Sequence, residues 1–235
     1  IESGTFDTES NYNNDIYVSG EFAITAGTFI SNSSTVEAKN LIIIGGTFNA
    51  PDASGMLTLE EEGTSGYGDG YAFRRVAGAF VDNGGTVTFT TSQVTAIRMG
   101  TPNQDFYNVI FDESSAGGLW YVNDEGFTVT GDLDLTDGDF DTTYGTYIPL
   151  IDIQGTLSIG NHNTFGGISG IQTSDISIGC LIIGGSGATF IGSSGTTTIT
   201  ENCNSANVWQ NLRGGNGYVH NNGTVDIHGL GNYNG

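Results

Sequence analysis

Short hydrophobic runs separated by glycine, asparagine, aspartate and serine recur along the whole chain. Their spacing is mostly 8–20 residues, and they are rich in valine, isoleucine, leucine and phenylalanine. Runs of this kind between turn-forming residues predict short β-strands, and no segment shows a long apolar period of 3.6 residues that would predict a helix. The predicted strands are Ile16–Val18, Phe22–Ile24, Leu41–Ile44, Leu57–Leu59, Thr86–Phe89, Tyr107–Phe111 and Phe127–Val129.

A second pattern repeats at a much longer distance. SGTFDT at 3–8 returns as DGDFDT at 137–142, and LIIIGGTF at 41–48 returns as LIIGGSGATF at 181–190. The matches keep their order at offsets between 134 and 139 residues, which indicates an internally duplicated unit. The two further matches are VSGEFAI (18–24) with IQGTLSI (153–159), and RRVAGAFVDNGGTVTF (74–89) with LRGGNGYVHNNGTVDI (212–227).

The repeat predicts one continuous domain over 1–235, made of a first unit at 1–137 and a truncated second unit at 138–235. No proline-rich or charged linker lies near residue 137, which favours a solenoid over two sandwich domains. We therefore predict an all-β fold, a right-handed, single-stranded parallel β-helix of about ten coils. Gly63–Gly70 and Leu119–Glu125 break the spacing and are predicted to project as loops. The second unit stops early, so we expect both ends to be cuts through a continuing array.

Two segments carry a resemblance to known proteins. FYNVIF at 106–111 and TVTGDLDLTDGDFDT at 128–142 resemble the F-x-N-L-T-I and V-x-G-x-L-x-L-x-x-G-x-F/L repeats of large secreted, adhesin-like β-helix proteins and of some phage virion proteins. The likeness covers most of the chain as a style of repeat, and its motifs are degenerate. It implies an elongated structure on a cell surface or a virion.

The charge of the chain excludes some partners. The net charge is −21 because lysine and arginine number only 5, against 26 aspartates and glutamates. Such a surface repels nucleic acid and anionic lipid, and no apolar run reaches the length of a membrane span. We expect no nucleic-acid partner and no membrane insertion, whereas divalent cations and neutral glycans remain compatible.

An acidic run is the first candidate for chemistry. Its five aspartates are Asp132, Asp134, Asp137, Asp139 and Asp141. Because Leu133 and Leu135 alternate with two of them, the first reading is a solvated outer face. The alternative is a calcium site, since oxygen ligands at alternate positions can converge on one ion. The run lacks the following glycine and the distal glutamate of a known calcium loop.

We predict no catalytic residues. Stacked coils bring carboxylates together freely, so a carboxylate pair says little about glycoside hydrolysis. A polysaccharide lyase needs a cation near its base, and Arg75 and Arg213 occupy matching repeat positions, which favours a structural role. A β-helix lyase or glycoside hydrolase stays open as an alternative.

Six further residues are candidates for modification or binding. Cys180 and Cys203 lie 23 residues apart, close to one coil, so they either form a disulfide on adjacent rungs or are two buried thiols. Asn32 and Asn222 begin N-glycosylation sequons. Trp120 and Trp209 stand near glycine or polar residues, where each either stacks on a sugar or packs against the coil.

These patterns favour a structural function. We expect an extracellular or cell-surface segment of a stalk, adhesin shaft or filament, which binds neighbouring copies end to end and possesses no catalysis of its own. A phage tail spike, fibre or other virion protein is the alternative location and function.

Overall fold

A computed structural model describes residues 1–9, 14–60, 70–91, 93–100, 105–113, 118–144, 147–168, 175–200, 203, 207–213 and 216–228. These residues form 23 β-strands and no helix. The strands are β1 Thr5–Asp7, β2 Ile16–Ile24, β3 Thr28–Ile30, β4 Thr35–Ile43, β5 Thr47–Asn49, β6 Met56–Leu59, β7 Tyr71–Arg75, β8 Ala79–Val81, β9 Thr86–Phe89, β10 Val94–Arg98, β11 Asn108–Phe111, β12 Leu119–Val122, β13 Gly126–Val129, β14 Leu133–Leu135, β15 Asp139–Asp141, β16 Leu150–Ile159, β17 Thr164–Gly166, β18 Ile176–Ile183, β19 Thr189–Ile191, β20 Thr196–Ile199, β21 Trp209–Asn211, β22 Tyr218–Val219 and β23 Thr224–Ile227.

The strands pair in parallel with the strands of the next turn and build three faces. Face 1 contains the first parts of β2 and β4, then β6, β9, β11 and β14, the last parts of β16 and β18, and β21. Face 2 contains the last parts of β2 and β4, then β7, β10, β12, β15, β17, β19 and β22. Face 3 contains β1, β3, β5 and β8, then β13, the first parts of β16 and β18, β20 and β23.

This arrangement confirms the predicted parallel β-solenoid and the predicted strands. It has about eight turns, slightly fewer than the ten expected. A turn takes 19 residues between Phe29 and Phe48 but 32 between Phe48 and Phe80, because the second interval contains an insertion. The right-handed sense of the coil stays a prediction.

Only one of the two predicted loops can be compared with the structure. The loop expected at Leu119–Glu125 is wrong, because β12 is a regular rung of face 2. The alternation of Trp120 and Val122 inside with Leu119 and Tyr121 outside is that of a half-buried strand. Almost all of the loop expected at Gly63–Gly70 lies outside the described residues.

Stacked aromatic rings fill the core. Phe6, Phe29, Phe48 and Phe80 stack along face 3 at centroid distances of 5.1–5.9 Å. A second stack, Phe140, Phe165, Phe190 and Tyr218, follows face 2 at 5.0–6.0 Å. Phe106 and Phe127 connect the two stacks. From β2 onward the buried residues of the rungs share one continuous core, whereas Phe6 of β1 is exposed at its end.

The matching segments of the long repeat lie on different faces. Phe6 belongs to face 3, whereas its match Phe140 belongs to face 2. Likewise 18–24 leads from face 1 to face 2, and its match 153–159 leads from face 3 to face 1. The repeat offset is therefore not a whole number of turns. The repeated motif forms a corner and the rung that follows it, and it can do so on any of the three faces. The duplication itself stays a prediction.

Candidate functional site

The acidic run crosses a corner of the solenoid from face 1 to face 2. Asp134 projects outward from β14, between two buried leucines, while Asp132 and Asp137 are exposed beside that strand. Asp141, at the end of β15, is completely buried. Among the residues that the structure describes, no three His, Cys, Asp or Glu side chains are placed to hold a metal ion. The five aspartates therefore do not converge on one point, and calcium binding stays a prediction.

Several aspartates instead connect one turn to the next. The Thr156 backbone N–H donates to Asp132 Oδ1 at 2.7 Å, and the Thr164 N–H donates to Asp139 Oδ1 at 2.6 Å. Each of these aspartates stands at the start of a rung, and the threonine that it binds starts a rung one turn later. The same contact is made by Asp15 with Thr35 and by Asp175 with Thr196.

Asp141 closes the corner that follows a core phenylalanine. Its Oδ1 accepts hydrogen bonds from the backbone N–H and the hydroxyl of Thr143 at 2.8 and 2.7 Å. In the matching segment, Asp7 Oδ1 accepts from the Glu9 N–H at 2.9 Å, again two residues further on. A buried or stacked phenylalanine followed by a polar corner is thus shared by both segments.

Burial changes the protonation equilibria of the outward aspartates. Loss of hydration raises the pKa of Asp134, and Asp132 raises it further, against a hydrogen bond from Ser158 that lowers it. Desolvation also raises the pKa of Asp139, although Thr164 donates to the charged form. The outer face of β14 and β15 therefore holds negative charge at a cost in free energy.

Beside Asp137 and Asp139 the surface opens into a cleft of about 330 Å³. Three successive corners between face 1 and face 2 line it, and they contribute Glu113, Asp137 with Asp139, and His162. Glu113 is 3% exposed. Sequence reasoning missed Glu113 because nothing in its own segment marks it, and only the stacking of turns brings it beneath the acidic run.

Cys180 and Cys203 are joined by a disulfide, with their Cα atoms 5.2 Å apart. Cys180 lies in β18 at the corner between face 3 and face 1, and Cys203 lies one turn later. Both residues are buried. The bridge therefore ties two adjacent turns together at this corner.

The two tryptophans differ in exposure, and the predicted sugar-stacking role of Trp209 stays a prediction. Trp120 is completely buried, and its ring packs 4.8 Å from that of Phe111. The predicted sugar-stacking role of Trp120 is therefore wrong, because a buried ring cannot reach a glycan. Trp209 is half-buried and packs edge-on against Tyr218 at 5.0 Å, so much of its ring also belongs to the coil.

The two sequon asparagines occupy different surroundings. Asn32 Nδ2 donates to Asp7 Oδ1 at 2.6 Å and to the Thr8 hydroxyl at 3.3 Å, so a sugar on that nitrogen would displace these contacts. Asn222 is exposed at a corner with φ of 58°. Of the two sites, Asn222 is the more accessible to glycosylation, which stays a prediction for both.

The paired arginines make similar contacts to backbone carbonyls, as a structural role would require. Arg75 Nη1 donates to the carbonyl of Gly78 at 2.8 Å, and Arg213 Nη1 donates to that of Asn216 at 3.2 Å, in both cases three residues further on. Arg75 Nε also donates to the backbone carbonyl of Met99 in the next turn at 2.7 Å. Burial lowers the pKa of Arg75, while Asp124 raises it.

Comparison with known proteins adds no identity to this chain. Protein-family models, curated proteins and solved structures gave no significant match. In the part of the chain that the structure describes, no helix is long and apolar enough to cross a membrane.

Proposed function

We propose that this chain is an extracellular structural or adhesive β-solenoid segment that serves as a stalk, a surface shaft or a filament subunit. The observation that carries the proposal is the unbroken series of parallel pairs along face 1, which runs through about eight turns over one continuous core. In such a stack each turn is held by its neighbours, so the rod is stiff without a separate core for each repeat.

Two features support a location outside the cell. A disulfide joins Cys180 and Cys203, and such bridges persist in oxidising compartments. The surface carries a net charge of −21, which keeps a protein soluble and away from anionic membranes. The resemblance to secreted β-helix repeats points to the same place, with a virion surface as the alternative.

Association of neighbouring copies end to end is part of the proposal. The first rung of face 3, β1, is exposed at all three of its residues, and Phe6 is 47% exposed there. At the other end, β23 pairs only with β20 among the described strands. A strand edge that is free at either end would be a template for pairing with another chain, and a head-to-tail contact would extend the rod.

Proline at position 225 tests this association. The N–H groups of Thr224 and His228 donate to the carbonyls of Gly195 and Ile199 in the preceding turn, so by alternation the N–H of Val225 points away from β20. Val225→Pro removes that donor without breaking a bond to β20, whereas Val225→Thr keeps the donor and a β-branched side chain. Sedimentation velocity should show concentration-dependent growth for the wild type and for Val225→Thr, and a 24.6 kDa monomer for Val225→Pro.

Two other results of the same experiment would count against a filament subunit. A wild-type protein that stays monomeric at every concentration contradicts end-to-end association. A stable trimer that does not grow further favours the phage spike or fibre.

A further inference from the structure

The cleft beside the acidic run is a built feature of three stacked turns. It lies where the chain passes from face 1 to face 2, and its volume is about 330 Å³. Carboxylates of Glu113, Asp137 and Asp139 line it, together with the side chains of Leu119 and Ile168. Because each turn adds its own corner, residues far apart in sequence form one surface.

Glu113 is the unusual member of this set. It is 3% exposed, and its Oε2 accepts a hydrogen bond from the Gly118 N–H. Its Oε1 is buried, and no described residue forms a hydrogen bond with it. A buried carboxylate oxygen without a donor lowers the stability of the folded state, because it has lost its water and gained no partner. A donor that entered the cleft and reached this oxygen would relieve that cost.

The polar groups of the cleft select the charge of its ligand. Asp137 and Asp139 add two more carboxylates, and no lysine or arginine is among the described residues that line the cleft. The other polar side chains of the lining are His162 and Asn163, and the Asn163 amide already donates to the Leu135 carbonyl. The site therefore presents hydrogen-bond acceptors in a negative field, which favours a cation with N–H donors. A metal ion fits less well, because the described residues contain no group of three ligands placed to hold one.

The apolar groups select the shape of the ligand. Leu119 projects outward from β12 and is half-buried, and Ile168 is 39% exposed across the cleft. A bare ammonium ion would leave these surfaces in water, whereas a methylene chain would cover them.

We propose that this cleft binds a primary ammonium group carried on an aliphatic chain. Glu113 and Asp137 accept its hydrogen bonds, and Leu119 and Ile168 contact its methylene groups. Free diamines and the lysine side chain of a partner protein both have this chemistry.

Calorimetric titration of the purified chain with 1,5-diaminopentane tests the proposal. The salt concentration should be about 0.15 M, where charges more than about 8 Å apart are screened. The wild type is expected to bind. Glu113→Gln and Asp137→Asn are each expected to lower the affinity for the diamine by about tenfold or more. Asp112→Asn removes the same charge from an exposed position next to Glu113, outside the cleft, and should leave the affinity within about twofold.

A melting curve of each variant separates loss of binding from loss of folding. Glutamine at position 113 keeps an oxygen for the Gly118 N–H, and Asp137 is exposed, so both variants should stay folded. A parallel titration with N-acetyl-lysine methylamide distinguishes the sources: comparable binding points to a lysine side chain, and weaker binding points to a free diamine.

Three results would overturn the proposal. The first is absence of diamine binding to the wild type. The second is equal binding by the wild type and all three variants, which would indicate general attraction to an acidic surface. The third is calcium binding that is lost in Glu113→Gln and Asp137→Asn while the diamine does not bind, which would make the cleft a metal site.

Discussion

At the scale of single residues, polar side chains hold the corners of this solenoid while apolar ones fill its interior. Arg75 is 2% exposed and bonds both to its own corner and to the next turn, whereas Arg213 makes a matching corner bond at the surface. Asp132 and Asp139 receive backbone N–H groups from the turn that follows. These side chains satisfy main-chain groups that strand pairing leaves unpaired at corners.

Replacing the buried arginine should destabilise the protein far more than replacing the exposed one. Arg75→Met leaves the carbonyls of Met99 and Gly78 without this donor and leaves Asp124 without the positive charge that it faces. We expect a loss of about 3–5 kcal/mol in the free energy of unfolding. For Arg213→Met the expected loss is under about 1 kcal/mol, because water replaces the lost contacts.

Urea denaturation of both variants measures this difference. Similar losses for the two variants would mean that burial of the guanidinium does not matter, contrary to the structure.

The raised pKa of Asp134 predicts a pH-dependent effect of Asp134→Asn. Burial is the main cause of the shift, so at neutral pH the folded state holds a charge that it disfavours, and the variant should melt at a higher temperature than the wild type. As the pH falls through the raised pKa of the folded state towards the ordinary value of 3.8, the wild-type carboxyl becomes protonated. The difference in melting temperature between Asp134→Asn and the wild type should then disappear.

Asp52→Asn is the matched control with the opposite sign. Hydrogen bonds, first from Ser33 and then from Ser54, lower the pKa of Asp52. Its charge therefore stabilises the folded state above the ordinary pKa, and that contribution is lost as the pH falls through the lowered folded value. At pH 7 the melting temperature of Asp52→Asn should be lower than that of the wild type, and in acid the two melting temperatures should become similar. Melting temperatures that shift in the same direction for both variants would contradict this account.

At the scale of elements, the repeated unit is a glycine corner followed by a short rung. Gly27, Gly46 and Gly78 have φ between 73° and 79° and stand directly before the rungs of face 3. A Cβ at Gly46 would meet the carbonyl oxygen of Gly27 one turn earlier. The corner thus requires glycine for its conformation and for the close approach of neighbouring turns.

Alanine at two glycines separates these requirements. Gly4 has φ of 75° with nothing within 4 Å of a Cβ, whereas Gly46 has φ of 73° and a blocked Cβ position. Gly4→Ala should cost about 1–2 kcal/mol from conformation alone. Gly46→Ala should cost about 2–5 kcal/mol, because neighbouring backbone must also move. Equal costs, measured by chemical denaturation, would show that close stacking of the corners contributes nothing.

The sequence was sufficient to predict the rungs but not their assignment to faces. Alternation in 16–18 or 57–59 is local, so it predicted strands correctly. The face that a rung joins depends on how many rungs precede it, and so the matching Phe6 and Phe140 gave no sign that they occupy different faces. The burial of Trp120 was missed because it depends on how neighbouring faces pack: its ring contacts Phe111, which lies on the preceding rung of face 1.

The candidate cleft was likewise predictable only in part from the sequence. The aspartates at 137 and 139 were recognised from their density, but their alternation could not reveal a neighbour from another turn. Glu113 joins them only because the corners stack, and its unpartnered oxygen is a property of packing.

At the scale of the whole molecule, the stacked turns form a length of rod. Its three faces share a core that runs from the first turn to the last, and each turn is about 4.8 Å above the one before. About eight turns therefore give a stack of roughly 40 Å. A structural function requires that such stacks continue, through neighbouring copies or neighbouring repeats, along one axis.

Electron microscopy of the concentrated native protein, with fibre diffraction from the same sample, tests that claim most directly. We expect unbranched linear particles whose diffraction has a spacing of about 4.8 Å along the particle axis, because the strands lie across the rod. Isolated globular particles at every concentration would contradict it.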